Sequence, residues 1–82
     1  MEEIGKITHF YDKIGVAVIL LSADLADLKV GDTIKIKRGN EEIEEEVNSM
    51  QINHQDIDSA KAGDEVAVKI SGKAKEGDKV YK

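Results

Sequence analysis

The stretch Lys61-Ala62-Gly63-Asp64-Glu65-Val66-Ala67-Val68-Lys69-Ile70 decides the class of fold. It opens on a corner and runs into a strand. Gly63 can adopt a φ above zero, and Asp64 can bond its own downstream backbone. After the corner, Val66, Val68 and Ile70 alternate with Ala67 and Lys69. A period of two places one face in a core and the other in water. The same corner recurs as Lys29-Val30-Gly31-Asp32 and Lys75-Glu76-Gly77-Asp78, with β-branched Thr33 and Val80 close behind. The copies are irregularly spaced, so the corner is a strand-opening device and not the unit of a repeat architecture.

The two-residue rhythm extends outward from there. Val16, Val18 and Leu20 alternate with Ala17 and Ile19, and Ile34 and Ile36 alternate with Lys35 and Lys37. Branched aliphatics of this kind suit a pleated surface. Six strands are predicted, near Ile4–His9, Gly15–Leu21, Thr33–Arg38, Ile43–Asn53, Glu65–Ile70 and Lys79–Lys82. Tyr11-Asp12-Lys13 turns the chain between the first two. In Arg38-Gly39-Asn40-Glu41, Gly39 with Asn40 can supply the positive φ of a tight hairpin. Residues 22–28 read either as one helical turn or as a loop carrying Leu25 and Leu28 inward, and residues 57–62 pose the same choice. Short strands, regular corners and no long helix predict an all-β fold. The expectation is a six-stranded closed antiparallel barrel of Greek-key type, one domain over residues 1–82, whose closure would remove exposed edges.

Composition excludes several functions. A chain of 82 residues buries only about 60% of the surface it exposes when unfolded. It has no cysteine for a disulfide, a zinc thiolate or a thiol nucleophile. Met1-Glu2-Glu3-Ile4 does not read as a signal peptide, and the longest apolar run, Val16 to Leu21, is far short of the ~20 residues of a membrane helix. A cytoplasmic protein without membrane contact is expected. With 12 Lys+Arg against 17 Asp+Glu the net charge is −5, so no general attraction draws the chain to nucleic acid. Phe10, Tyr11 and Tyr81 are too few for a broad base-stacking platform.

Several segments together resemble the β-barrel second domain of elongation factor Tu and its relatives. They are Ile4-Gly5-Lys6-Ile7 with Ile14-Gly15-Val16-Ala17-Val18, then Leu28-Lys29-Val30-Gly31-Asp32-Thr33-Ile34 and Val47-Asn48-Ser49-Met50-Gln51-Ile52-Asn53-His54, and finally Ala60-Lys61-Ala62-Gly63-Asp64-Glu65-Val66-Ala67-Val68 with Glu76-Gly77-Asp78-Lys79-Val80. The resemblance runs in order over nearly the whole chain. It extends to small stand-alone elongation-factor-like proteins and to the barrel at the C-terminus of collagenase-like peptidases, a group that includes RNA-modification proteins. It implies a translation-protein barrel that contacts transfer or ribosomal RNA, or a ribosomal component.

The departures are equally plain. The factors carry a phosphate-cradling loop in a preceding domain. Here the only Gly-Lys pairs, Gly5-Lys6 and Gly72-Lys73, lack a glycine five residues before their own. No nucleotide, cofactor or metal is expected. Where tRNA-carrying members place a glutamate, this chain has Gln51, which can hydrogen-bond a hydroxyl but carries no charge. Asn53 and His54 stand where basic or aromatic residues often follow.

The candidate contact residues are therefore Phe10, Tyr11 and Lys13 at the first hairpin tip, with Gln51, Asn53 and His54 on the long strand. The aromatic pair can stack on a base or fill a partner's pocket; equally, Phe10 can cap a barrel mouth with Tyr11 half-covering it. His9 and His54 lack metal-ligand spacing. Glu41-Glu42-Ile43-Glu44-Glu45-Glu46 reads as a solvated arm that blunts an edge, or as a surface for a basic protein. Lys69, Lys73, Lys75, Lys79 and Lys82 bias the C-terminal third to positive charge. No carboxylate pair or triad stands out, so a catalyst is not expected. The leading expectation is a monomeric, non-catalytic module contacting RNA or the ribosome. The alternative is a protein-interaction module serving a larger enzyme, such as a collagenase-like peptidase or an RNA-modification protein.

Overall fold

The computed structural model describes residues 2–22 and 27–82, and Leu25 lies outside them. The described residues form ten strands: β1 (Glu3–Tyr11), β2 (Val16–Leu21), β3 (Asp27–Lys29), β4 (Thr33–Arg38), β5 (Glu41–Glu46), β6 (Met50–Ile52), β7 (Gln55–Ile57), β8 (Ser59–Lys61), β9 (Glu65–Lys69) and β10 (Lys79–Tyr81). Eight of them make one antiparallel sheet in the order β5-β4-β10-β1-β2-β9-β6-β7, and β3 pairs with β8 in a small second sheet. The all-β expectation holds. The six-stranded closed barrel does not, because the ladder has two ends, β5 and β7, among the described residues.

The extra strands have local causes. The expected strand Ile43–Asn53 breaks because the backbone of Val47 turns away from the ladder, its N–H going to Asp32 and its carbonyl accepting from Gly31. Pairing resumes at Met50, now beside β9. Residues 57–62 extend into strands instead of a helical turn, and Leu28 enters the core from β3 against Ala60 of β8.

The connection from β5 to β6 fixes the shape of the sheet. Laid flat, β5 and β6, six strand spacings apart in the sheet, would lie about 29 Å apart at ~4.8 Å per spacing. Residues 47–49 alone join Glu46 to Met50, a step that spans at most ~14 Å. The sheet must therefore coil until its ends approach, though its ladder stays unsealed. The buried carboxylate of Glu45 bridges part of that gap. It accepts the N–H of Ser71 at 3.0 Å, the hydroxyl of Ser71 at 3.1 Å and the N–H of Gly72 at 2.9 Å. Hydrogen bonds to a charged group contribute about 1.5–3 kcal/mol each, enough to offset desolvation of a carboxylate that is 8% exposed.

The three Lys-x-Gly-Asp corners share one geometry. In each, the aspartate N–H donates to the lysine carbonyl three residues earlier at 3.0 Å, for Asp32 to Lys29, Asp64 to Lys61 and Asp78 to Lys75. The glycine between them has φ of 99° (Gly31), 93° (Gly63) and 95° (Gly77), which defines a type II turn. The aspartate side chain bonds upstream, not downstream as expected: Asp32, Asp64 and Asp78 accept the N–H of Lys29, Lys61 and Lys75 at 2.8, 3.0 and 2.9 Å. Each corner also exchanges two backbone bonds with a fully buried residue elsewhere. Gly31 and Asp32 hold Val47, Gly63 and Asp64 hold Leu21, and Gly77 and Asp78 hold Ile7.

The core fills the coiled interior with Ile7, Ile19, Leu21, Ile34, Val66 and Val80 among others. On β2 the inward set is Ala17, Ile19 and Leu21, while Val16, Val18 and Leu20 face out and are only half-buried. The alternation in the sequence suggests the opposite parity. Both sets are apolar, so the sequence carries no polar mark of the outer face.

Lys82 ties the end of β10 to the first corner. Its ammonium lies 2.8 Å from Asp32 and 3.1 Å from Asp27. Burial alone would raise the Asp32 carboxyl, but hydrogen bonds from Lys82 and the Lys29 N–H, with the charges of both lysines, bring it below its ordinary value. The hydrogen bond to Asp32 in turn raises Lys82, against the opposing effect of burial.

Two outcomes follow for stability. A Cβ added at Gly63 meets nothing within 4 Å, so Gly63→Ala should cost only backbone strain, about 1–2 kcal/mol of unfolding free energy from urea titration, and Gly63→Asn less. A lowered aspartate contributes stability that is present above its unfolded value of ~3.9 and lost as pH falls through the lower folded one. Urea unfolding across a series of pH values should show this loss for the parent and a shallower loss for Lys82→Met.

Candidate partner-binding surface

The register of β1, β2, β9 and β6 assembles one outward face. His9 pairs with Val18, Val18 with Ala67 and Ala67 with Gln51, forming a row across four strands. A second row holds Tyr11, Val16 and Lys69, and a third holds Lys6, Leu20 and Glu65. The register of β1 shifts between Ile7 and His9 and leaves Thr8 out of the pairing. Its hydroxyl donates to the Val18 carbonyl at 3.3 Å and to Glu65 at 3.1 Å. The rings of His9 and Tyr11 stack at 6.2 Å between centroids.

The expected contact residues fall into separate settings. Tyr11 is 51% exposed and lies on this face, and Lys13 is exposed in the turn beyond it. Phe10 points the other way and packs, half-buried, against the core. Gln51 shares the outer face, but its amide donates to Asp56 at 2.9 Å. Asn53 and His54 are the two central residues of the β6–β7 hairpin, with φ of 53° and 65°. Two consecutive left-handed residues define a type I′ turn, so these two side chains are where they are because the hairpin needs them. The structure brings Gln51 and Tyr11 onto one face, places Asn53 and His54 at its far corner, and packs half-buried Phe10 against the core from the other side.

The histidines lie apart, on β1 and in the β6–β7 turn, with His9 4.0 Å from Glu76. Among the described residues, no group of three His, Asp or Glu side chains is arranged to hold a metal ion. Two of the C-terminal lysines are paired with carboxylates: Lys79 lies 3.9 Å from Glu3, and Lys82 is taken up by Asp27 and Asp32. The concavities are small and open. A groove of about 190 Å³ lies between β4, β5 and Lys73, and contains the Arg38–Asp78 ion pair at 3.3 Å. Another, of about 390 Å³, follows the glutamates of β5 towards Ser71. Sequence reasoning missed Val16, Val18, Leu20 and Ala67 as outward residues. The available signal was the unbroken apolar run of β2, which exceeds what one buried face requires.

No protein-family model matches the chain. It is 49% identical over 80 residues to an uncharacterized protease of Methanocaldococcus jannaschii. The match takes in 96% of this chain but 19% of that protein's length. Two crystal structures of the C-terminal domain of a Geobacillus thermoleovorans protein, classed with the U32 peptidases, share the fold. The selenomethionine form superposes with a TM-score of 0.88 at 14% identity, covering 100% of both chains. The other gives 0.85 at 13% identity, covering 96% of this chain and 89% of that one. These likenesses agree with the peptidase-barrel part of the resemblance. They overturn its translation part: elongation-factor, ribosome, protein-synthesis and RNA-binding roles find no counterpart in a protease relative and peptidase-domain neighbours. Among the described residues there is no helix long and apolar enough to cross a membrane.

The hairpin makes its own test. His54 occupies a left-handed position at a cost that glycine would avoid, so His54→Gly should raise the urea midpoint, by an amount equivalent to about 0.5–1 kcal/mol of unfolding free energy. Asn53→Val should lower it.

Proposed function

We propose that this chain is a non-catalytic accessory module of a larger cytoplasmic peptidase. One observation carries the reading. Nearly the whole chain is matched at 49% identity inside a protease of which it makes up only 19%. The likeness to an excised peptidase C-terminal domain supports it, since a fold matched over its full length is a unit that a larger enzyme carries. The module contributes a rigid β surface, and the hydrolytic chemistry belongs to the remainder of such an enzyme. Reaction class and substrate follow from that remainder and not from these strands.

The test is an exchange of segments in the archaeal protease. A chimera carrying these residues in place of the matched segment should keep the parent's cooperative melting and proteolytic activity. A version with a glycine-serine linker of equal length should lose stability, activity or both. The isolated chain should release no peptides from casein. Proteolysis by the isolated chain, or a linker version that matches the parent, would overturn the reading.

A further inference from the structure

The outer face of β2 and β9 is built like the centre of an interface. Val16, Val18, Leu20 and Ala67 form an apolar middle that no element covers among the described residues. Tyr11 extends it at one end, and Ile14, 62% exposed, sits at the same end in the β1–β2 turn. Lys6, Glu65, Lys69 and His9 stand around it in the rows defined by the register. An apolar centre within a polar rim is how protein contacts are organised. β2 is also the strand whose outer side chains the fold has no use for. Alternating Thr and Lys would serve the sheet equally well, as they do on β4.

Size and context narrow the occupant. Three strands by five residues give a patch of about 10 by 17 Å, on the order of 200 Å². That is well below the ~800 Å² per partner of a stable interface between free proteins. A second copy of the chain would therefore be held weakly. A tethered occupant needs less, because a linker supplies an effective concentration near millimolar. In the archaeal relative about four-fifths of the polypeptide lies outside the match, so such an occupant is present on the same chain.

We infer that the outward face of β2 and β9, with Tyr11 and Ile14, is the seat on which the peptidase region packs. That region would present an apolar, weakly charged surface of its own. The inference rests on the accessory-module reading and adds the location of the contact.

Hydroxyl-radical footprinting with mass spectrometry tests it, on the chimera described above and on the isolated chain. Labelling of Tyr11, Ile14 and Leu20 should fall severalfold in the chimera, while Lys13 and Ile43 stay unchanged. Val18→Lys should restore that labelling in the chimera and leave the isolated chain's circular dichroism unchanged. Protection confined to another face overturns the inference and leaves the accessory reading standing. Protection nowhere overturns both. Protection of the isolated chain that grows with its concentration makes a second copy the occupant and overturns the inference. If the chimera does not fold, the same footprint is read on the unaltered archaeal protease at the positions aligned with Tyr11, Val16 and Leu20. Full labelling there counts against the inference in the same way.

Discussion

Three aspartates, each reaching back to the amide three residues earlier, hold this molecule together. Asp32, Asp64 and Asp78 close type II turns whose glycines and aspartates grip Val47, Leu21 and Ile7 by paired backbone bonds. The gripped residues are fully buried. Each clasp therefore joins a surface corner to the core and satisfies backbone groups that the ladder leaves free at strand ends. A small sheet with little apolar area gains most from such fixed points. The clasp at Val47 also breaks the long strand, and that break lets the chain cross between the two ends of the sheet.

How much could be read beforehand depends on which residues carry a mark of their surroundings. Gly63 and Asp64 announce a corner because few other residues tolerate that backbone, and all three corners were legible for that reason. Ile34 and Ile36 announce their inward face because Lys35 and Lys37 stand between them. β2 announces nothing of the kind, since Val16-Ala17-Val18-Ile19-Leu20-Leu21 is apolar throughout and its parity is set by pairing with β1 and β9. Whether the sheet would close was illegible as well. It depends on the register across eight strands, and a break of three residues at Val47–Ser49 hardly disturbs the local pattern. Short strands such as β3 and β8 fall below the length at which periodicity can be recognised.

Among the site residues, the residue types suggested recognition where the backbone required conformation. Asn and His are both enriched in left-handed positions, and at Asn53 and His54 that preference explains their presence in the hairpin. Phe10 obeys the ordinary preference of an aromatic for the core. Tyr11, one residue further on, is left outside by the strand's alternation. The surface that survives as a candidate is thus set by strand parity, and its apolar character belongs to β2 more than to the residues that drew attention by their chemistry.

The position of β10 has a consequence for how the chain acquires its form. Lys79–Tyr81 pairs with both β4 and β1, so the tenth strand sits in the middle of the sheet, far in sequence from both neighbours. Without it, β4 with β5 forms one part of the sheet and β1 with β2, β9, β6 and β7 another, with no ladder between those two parts among the described residues. Strand pairings that span most of a sequence are slow to form, because loop closure must precede the contacts that reward it. The three residues of β10 are thus the seam at which the two parts of the ladder become one sheet.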